Sequence, residues 1–161
     1  MRDGRMMSAP DSGVKTVCQN KKAGHDYYLD EFLEAGLVLA GPEVKSLREG
    51  RANLVDSYAK VKRGEVFLYH MHISPYPFSH GLDMDPTRTR KLLLKKREIK
   101  RLIGKTETKG YSLIPTKVYF KRGRAKVEIA LARGKKKFDK RRALKEKELK
   151  REMEQARKKG N

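Results

Sequence analysis

The chain of 161 residues contains no tryptophan and a single cysteine, Cys18. One cysteine excludes an intramolecular disulfide and any cysteine-rich metal site, so we expect a reducing compartment, with the cytoplasm as the default. No run of eighteen apolar residues is present, which excludes a transmembrane helix. The first residues also lack a continuous apolar stretch after their charges, and we therefore expect no secretory signal.

Acidic residues are scarce relative to basic ones. The chain has 20 Asp and Glu against 40 Lys and Arg, which gives a net charge of +20. Self-repulsion of this size destabilises a compact state unless a polyanion compensates it, and nucleic acid is the leading candidate. An anionic membrane is a weaker candidate, because the basic C-terminal segment lacks the Trp, Phe and Leu face of an interfacial helix.

The C-terminal segment, residues 135–161, carries 13 Lys and Arg against 5 Asp and Glu. Between residues 140 and 158 it has no Gly, Pro or β-branched residue, so its local propensity favours a helix. Leu149, Met153 and Ala156 form only a narrow apolar stripe, and a helix with so little to bury is marginal in water. We therefore expect this basic tail to be disordered when free and helical against a polyanionic partner. A solvated tail that only aids solubility is the alternative.

Before the tail, the chain divides into a short N-terminal segment and one domain. Residues 1–19 mix polar residues, Gly and Pro without periodicity, and we expect them to be disordered. Residues 20–134 form the predicted domain. It begins with two short predicted strands within residues 27–39, broken at residues 34–36, and continues with a short helix from Gly41 to Leu47.

Two hairpins follow in the predicted domain. Their strands are indicated by alternating apolar residues that flank Arg-Gly turns. The predicted strands are residues 54–61 and 66–73 in the first hairpin, and residues 111–120 and 125–132 in the second. Pro115 predicts a bulge or an edge position within the second hairpin.

A helix is predicted between the two hairpins, from Asp85 to Gly104. Its buried stripe consists of Leu92, Ile99, Leu102 and Ile103, and Leu93 lies off that stripe. Short strands in hairpins with an inserted helix predict a mainly β fold with α. The predicted architecture is a single OB-like antiparallel β-barrel of Greek-key type, with two or three short helices and the basic tail.

No group of residues in the sequence suits catalysis or a bound cofactor. There is no phosphate-cradling glycine loop, no Gly-x-Ser-x-Gly elbow and no Cys/His pair suited to nucleophilic catalysis. His70 and His72 lie two apart on a predicted strand, but two ligands do not make a metal site. We therefore expect no enzyme activity, no cofactor and no metal. An RNA-modifying or RNA-cleaving enzyme that uses these histidines and Asp83 is the alternative of that class.

Five blocks of the sequence occur in the order found in one known family. They are Asn20-Lys-Lys-Ala with His25, Glu43-Val-Lys-Ser-Leu-Arg48, Asn53-Leu-x-Asp-Ser-Tyr58, Asp85-Pro-Thr-Arg-Thr-Arg-Lys-Leu-Leu-Leu94 and Gly134-Lys-Lys-x-x-Asp139-Lys-Arg141. Any one block is a weak signal, but five in sequence are specific. With them the chain resembles small protein B (SmpB), the tmRNA-binding or SsrA-binding family of bacterial trans-translation. The resemblance runs from about Asn20 to Arg151.

The resemblance implies a function in ribosome rescue. Members of the family bind the tRNA-like domain of tmRNA and, with elongation factor Tu, bring alanyl-tmRNA to bacterial ribosomes stalled without a usable codon. The barrel takes the place of the missing anticodon arm, and the tail enters the empty mRNA channel at the decoding centre as a helix. We expect a monomer. A structural ribosomal protein, or a general basic RNA-binding protein, is the alternative function.

The resemblance also assigns candidate site residues. Asn20, Glu34 and Leu93 fall where the family contacts or supports tmRNA, and Lys126 lies on the predicted basic face. The candidate tmRNA-binding residues are Asn20, Lys21, Lys22, His25, Glu34, Lys45, Arg48, Lys91, Leu93 and Lys126. The candidate residues for the decoding centre are Gly134, Lys135, Lys136, Phe138, Asp139, Lys140, Arg141, Lys145 and Arg151. Phe138 stands where several relatives have His, which keeps a stacking contact and loses an imidazole hydrogen bond.

Overall fold

The computed structural model describes residues 13–78, 84–135 and 137–159 of the chain. The expectations for residues 1–12, Asp83 and Lys136 lie outside these described residues. The strands are β1 (Val14–Gln19), β2 (Tyr27–Leu37), β3 (Ala52–Asn53), β4 (Tyr58–Lys62), β5 (Glu65–Tyr69), β6 (His72–Ile73), β7 (Arg90–Leu93), β8 (Ser112–Lys121) and β9 (Arg124–Gly134). The helices are α1 (Ala23–Asp26), α2 (Gly41–Arg48), α3 (Lys96–Thr108) and α4 (Lys137–Lys159). None of these described helices is long and apolar enough to cross a membrane.

All pairings between the described strands are antiparallel. The larger sheet has the order β1-β8-β4-β5-β7-β2-β9, and a further pairing of β8 with β9 closes six of its strands into a ring. We call β8-β4-β5-β7-β2-β9 the strand ring. β1 lies beside β8 outside the ring, and β3 pairs with β6 in a separate sheet. The predicted mainly β fold with helices is confirmed.

The inside of the strand ring is the main hydrophobic core. Because strand side chains alternate between two faces, every second residue points into it. The inward residues include Val66 and Leu68 of β5, Val118 of β8, and Val127, Ile129 and Leu131 of β9. Helices α2 and α3 pack Leu47 and Leu102 against the same cluster. Each such burial contributes about 1.5–3 kcal/mol, so this alternation stabilises the fold.

The second predicted hairpin is confirmed, and the first is shorter than predicted. Both turns place an Arg-Gly pair at positive φ, +54° and +76° for Arg63 and Gly64, which suits the twist of a two-residue hairpin. β5 ends at Tyr69 because His70 adopts a φ of +66°, so the predicted strand 66–73 is interrupted there. In β8 the pairing register shifts just after Pro115, and the predicted bulge is confirmed.

The N-terminal segment needs a correction at residues 14–19, where we expected disorder. These residues form β1, which pairs with β8 from Val14 opposite Lys121 to Gln19 opposite Lys117. Val17 is partly buried against the main core. The strand exists because an edge of β8 satisfies its backbone hydrogen bonds, and local composition carries no signal for such a tertiary pairing.

The predicted break at residues 34–36 is also wrong, because β2 is one strand of eleven residues. Gly36 pairs with Lys126 on one side and with Leu93 on the other. A Cβ built on Gly36 would lie 3.2 Å from the Cβ of Leu93, which is closer than ordinary contacts allow. The glycine therefore marks a close approach of two strands, and its presence does not interrupt the strand.

The predicted helix from Asp85 to Gly104 is wrong in its first half. Residues 90–93 form β7, which alternates buried and exposed positions between β5 and β2. The Asp85 carboxylate accepts hydrogen bonds from the N–H and hydroxyl of Thr87 in a local turn, so it does not cap a helix. Helix α3 starts at Lys96 and runs to Thr108, so Gly104 lies inside it. The short helix predicted from Gly41 is confirmed as α2.

A buried cluster of charges fixes β7 to α2. The side chain of Arg90 is 0% exposed, and its Nε donates to Glu43 Oε2 over 2.8 Å. Arg90 also donates to the carbonyls of Met71 and Pro86, while Arg88 donates to the Glu43 carboxylate. Burial raises the pKa of Glu43, but hydrogen bonds from Arg88, the Ala40 N–H and Arg90 outweigh it and leave the pKa below its ordinary value. The cluster connects four segments of the chain around one carboxylate.

Replacing Arg90 by Met should destabilise the fold strongly, because it leaves a buried carboxylate without its fully buried partner. We expect the free energy of unfolding, measured by urea denaturation, to fall by about 3 kcal/mol. The matched control is Arg88→Met, which removes the more exposed partner of the same carboxylate and should cost less. The double variant Glu43→Leu/Arg90→Met should recover part of the loss. Equal losses for Arg88→Met and Arg90→Met would contradict a buried anchoring role for Arg90.

Candidate nucleic-acid interface

The solvent side of four adjacent strands forms a continuous surface. The strands are β7, β2, β9 and β8, and their register aligns Leu93, Gly36, Lys126 and Tyr119 in one row across them. A second row contains Glu34, Glu128 and Lys117. A third row contains Phe32, Ala130 and Ile114. We call the surface formed by these three rows the outer face. Three residues that are far apart in sequence, Glu34, Leu93 and Lys126, are thus brought together on it.

Leu93 lies exposed on the outer face, with 54% of its surface accessible. Its neighbour Leu92 is buried in the core, because adjacent strand residues point to opposite sides. The prediction that Leu93 lies off the core is therefore confirmed, although it rested on a helix that is not present. Gly36 lets the Leu93 side chain lie across β2 at close range. An exposed leucine at this position offers an apolar contact to a ligand.

Glu34 is held as an ionised carboxylate on the same face. The Tyr119 hydroxyl donates to its Oε2 over 2.5 Å, and the Lys121 Nζ lies 3.4 Å from the same atom. These contacts, led by the hydrogen bond from Tyr119, lower the pKa of Glu34 below its ordinary value. Burial and the hydrogen bond to Glu34 raise the pKa of the Tyr119 hydroxyl. The arrangement presents a fixed acceptor, which suits N–H groups of bases and hydroxyls of ribose.

Cations outnumber acids where the outer face meets the β8–β9 turn. A shallow depression there is lined by Glu34, Lys121, Arg122, Arg124 and Lys126, four basic residues and one acid. Lysine and arginine at such a surface neutralise phosphates and release counterions. The outer face therefore combines an apolar contact, an acceptor and a basic border.

Asn20 and helix α1 border the outer face on its other side. The Asn20 Nδ2 donates to the Pro115 carbonyl over 3.1 Å, and its backbone N–H donates to Thr116, so Asn20 ties the chain to the bulge of β8. Lys21, Lys22 and His25 are exposed next to it. Three of these four residues thus remain accessible, while Asn20 serves a positioning role.

The remaining candidate cations contact side chains of the protein itself. The Arg48 guanidinium lies 4.7 Å from the Phe120 ring centre, and Lys45 Nζ lies 5.5 Å from that of Tyr76. Lys91 forms an ion pair with Glu65. Lys91 shares the outward side of β7 with Leu93, whereas Lys45 and Arg48 belong to α2, outside the four strands of the outer face.

The basic tail leaves the strand ring at a fixed point. The backbone N–H of Lys135 donates to the Asp26 carbonyl, and its Nζ donates to the Gly24 carbonyl over 3.0 Å. The same Nζ lies 5.0 Å from the ring centre of Tyr28. Gly134 is the last residue of β9 and pairs with Tyr27. The start of the tail is therefore anchored beside α1.

Beyond this anchor the tail forms helix α4, and that this helix needs a polyanionic partner stays a prediction. The backbone of Phe138, Asp139 and Lys140 belongs to its first turn. Further along, the side chains of Arg141, Lys145, Leu149, Arg151 and Met153 are all exposed. Leu149 and Met153 of the apolar stripe are therefore exposed. Disorder of the free tail stays a prediction.

Comparison with known proteins identifies the family of the chain. The family model described as "SmpB protein" matches residues 17–159 of the chain. The chain belongs to the SmpB family. An SsrA-binding protein of Geobacillus thermodenitrificans (strain NG80-2) is 58% identical over 147 residues, which cover 91% of this chain and 95% of the relative. An SsrA-binding protein of Listeria welshimeri is 57% identical over 147 residues, with 91% and 96% covered.

A solved structure shares the fold of this SmpB-family chain. It is described as "tmRNA-SmpB: a journey to the center of the bacterial ribosome", and its matching chain is 49% identical, with a TM-score of 0.63. The match covers 74% of this chain and 85% of that chain. The family and the fold therefore agree.

The described part of this SmpB-family chain contains no candidate metal site. Among the described residues, no three His, Cys, Asp or Glu side chains lie close enough together to hold a metal ion. His70 and His72 are both exposed. The chain changes direction at His70, directly after β5, because His70 has a positive φ. Asp83, the third residue of that alternative, lies outside the described residues.

Sequence reasoning missed several residues of the outer face. Tyr119, Lys121, Arg122 and Arg124 were not singled out, although all lie in or beside the predicted second hairpin. The closeness of Lys121, Arg122 and Arg124 at one turn was readable from the sequence, because they lie within four residues of one another. Their closeness to Glu34 was not, because it depends on the pairing of β2 with β9.

Replacing Tyr119 by Phe should raise the pKa of Glu34 toward its ordinary value, because it removes the hydrogen bond that most favours the ionised form. The measurement is a titration of the Glu34 carboxyl carbon by NMR. The control is Tyr111→Phe, since the Tyr111 hydroxyl donates to Asp30 and not to Glu34. An unchanged Glu34 midpoint in Tyr119→Phe would show that the hydroxyl does not hold the carboxylate.

Proposed function

We propose that this protein binds the tRNA-like domain of tmRNA and delivers tmRNA to stalled ribosomes for trans-translation. The observation that carries the proposal is the outer face, where register brings Glu34, Leu93 and Lys126 together in a chain of the SmpB family. The two relatives described above are named SsrA-binding proteins, and the similar solved structure pairs SmpB with tmRNA.

The proposed binding surface works by three kinds of contact. Lys126 and the nearby basic residues neutralise phosphates, which supplies affinity that depends on salt. The Glu34 carboxylate, pinned by Tyr119, accepts hydrogen bonds and so fixes orientation. Leu93 packs on a ribose or a base. The rows of the outer face hold these three contacts in fixed register, so the surface recognises the shape of a folded RNA.

We infer that the strand ring is an OB-like barrel that stands in for the anticodon arm that tmRNA lacks. Its closure through the β8–β9 pairing and the helix α3 inserted between strands support this inference. The protein acts by binding alone, without a catalytic step, cofactor or metal. It acts as a monomer in the cytoplasm. Its interaction with elongation factor Tu is indirect, through alanyl-tmRNA.

The tail completes the proposed function at the ribosome. Its exposed apolar stripe and its charge, 13 basic against 5 acidic residues in 135–161, suit a channel walled by ribosomal RNA. Helix α4 would be marginal in water by itself, and it gains its missing contacts inside the empty mRNA channel. Gly134 and Lys135 provide the anchored start, and the residues from Lys136 to Arg141 engage the decoding centre. Phe138 stacks on a ribosomal base there.

Replacing Leu93 by Asn should weaken binding to the tRNA-like domain without unfolding the protein. The lost apolar contact is worth about 1.5–3 kcal/mol, or about tenfold or more in affinity. The matched control is Leu92→Asn, which places an amide in the core and should lower the free energy of unfolding by about 3 kcal/mol. Binding is measured by filter retention and stability by urea denaturation. Loss of the cooperative transition in Leu93→Asn would contradict an exposed role.

Lys126→Ala provides a second control for the same surface. It should reduce the magnitude of the slope of log K against log salt by about 0.7–0.9, because one phosphate contact is lost. Leu93→Asn should leave that slope unchanged. A wild-type protein whose affinity for the tRNA-like domain shows no salt dependence would contradict the proposed phosphate contacts.

Replacing Leu149 by Pro should abolish rescue while leaving tmRNA binding intact. Proline in the middle of α4 costs the helix about 3 kcal/mol and changes no charge. The measurement is peptide transfer to tmRNA on ribosomes stalled without a codon. The control is Leu149→Ala, which keeps the helix and loses only the apolar side chain. Normal transfer by Leu149→Pro would show that the tail acts as a simple polycation.

A further inference from the structure

The outer face carries one exposed aromatic side chain that the contacts above do not use. Phe32 on β2 is 52% exposed and belongs to neither of the buried clusters of the described residues. It points to the solvent side because it lies two residues from Glu34 on the same strand. The exposed half of the side chain contributes no burial to the fold and is available to a ligand.

The strand register locates Phe32 in a third row of the outer face. Phe32 pairs with Ala130 of β9, and Ala130 pairs with Ile114 of β8. The next row toward Asn20 contains Leu29 and Ala132, which pack with Ala23 of α1. Ala130 and Ile114 are buried, so the floor around the ring is apolar while the ring itself stays open.

Helix α1 packs over the row next to Phe32 and, at β8, against Ile114 at the far end of the Phe32 row. On the other side of Phe32 comes the row of Glu34, Glu128 and Lys117. The ring therefore lies between the exposed Lys21, Lys22 and His25 around α1 and the Glu34–Lys126 part of the surface. An RNA that contacts both groups of residues crosses the row in which Phe32 is the exposed side chain.

We propose that Phe32 stacks on an unpaired nucleobase of the tRNA-like domain of tmRNA. The inference rests on the proposed function and adds a contact to it. A planar ring beside phosphate-binding cations is the arrangement with which proteins hold single-stranded or splayed bases. A protein partner fits the surface less well, because a stable protein interface needs about 800 Å² per partner and the row on one side of Phe32 carries Glu34, Glu128 and Lys117. One base covers the ring fully.

The test measures the affinity of Phe32 variants for the tRNA-like domain RNA at one salt concentration. Phe32→Ala should bind about 5- to 100-fold more weakly, as expected for the loss of one stacked base. Phe32→Leu keeps an apolar side chain but loses the plane, and it should be weakened as well. Phe32→Trp should bind at least as well as the wild type. The slope of log K against log salt should not change in any of them, since no charge is altered.

The variant Phe32→Trp adds a direct readout, because the chain contains no other tryptophan. Its fluorescence should be quenched when the tRNA-like domain RNA is added and should stay unchanged with a fully paired RNA duplex. The aromatic control is Phe78→Ala, which removes a ring that is 70% exposed in the segment after β6, and it should bind like the wild type.

Three results would overturn the inference: wild-type affinity in Phe32→Ala, wild-type affinity in Phe32→Leu, or an equal loss in Phe78→Ala. Unfolding midpoints of all variants are measured alongside, and Phe32→Leu and Phe32→Trp keep the test valid if Phe32→Ala loses stability. Failure of the proposed function looks different. In that case the wild-type protein itself would show no preference for the tRNA-like domain over other RNA.

Discussion

The pairing of β9 on both of its edges is the constraint on which the structure depends. β9 pairs with β2 on one side and β8 on the other, so each of its residues is assigned to one side of the strand ring. Val127, Ile129 and Leu131 fill the core, while Lys126 and Glu128 lie on the outer face. A slip of one residue would exchange the two sets. The hydrogen bonds of β9 therefore fix both the core and the binding surface. A change in the register of β9 would alter both.

The charge of the protein is distributed according to this arrangement. Where cations are needed for folding they are buried and paired, as Arg90 is with Glu43, and there they hold β7 in place. Where they are not needed for folding they are exposed at the β8–β9 turn, around α1 and along α4. Stability and RNA binding thus use different basic residues. The excess of +20 destabilises the free protein and is compensated only when RNA supplies the opposite charge.

Much of the fold was predictable from the sequence, because hairpin turns and alternation are local signals. The second hairpin, α2 and the tail helix were predicted on such signals and are present. The errors arose where tertiary pairing overrides local preference. The stretch from Arg90 to Leu94 fits a helix by composition. Its residues 90–93 nevertheless form a strand, because they pair with the edges of β2 and β5. At the site, the resemblance supplied Glu34, Leu93 and Lys126, but only the register explains why they meet. Phe32 could not be selected from the sequence, because the sequence does not show which rows of the outer face are left exposed by helix α1.

The central claim is that this surface selects one RNA among all the polyanions of a bacterial cell. The most direct measurement is to recover the full-length protein from growing cells after cross-linking and to sequence the RNA bound to it. The account predicts that tmRNA is enriched far beyond its share of total RNA, with cross-links in its tRNA-like domain, and that ribosomal RNA cross-links concentrate near the decoding centre. Recovery of RNAs simply in proportion to their abundance would contradict it.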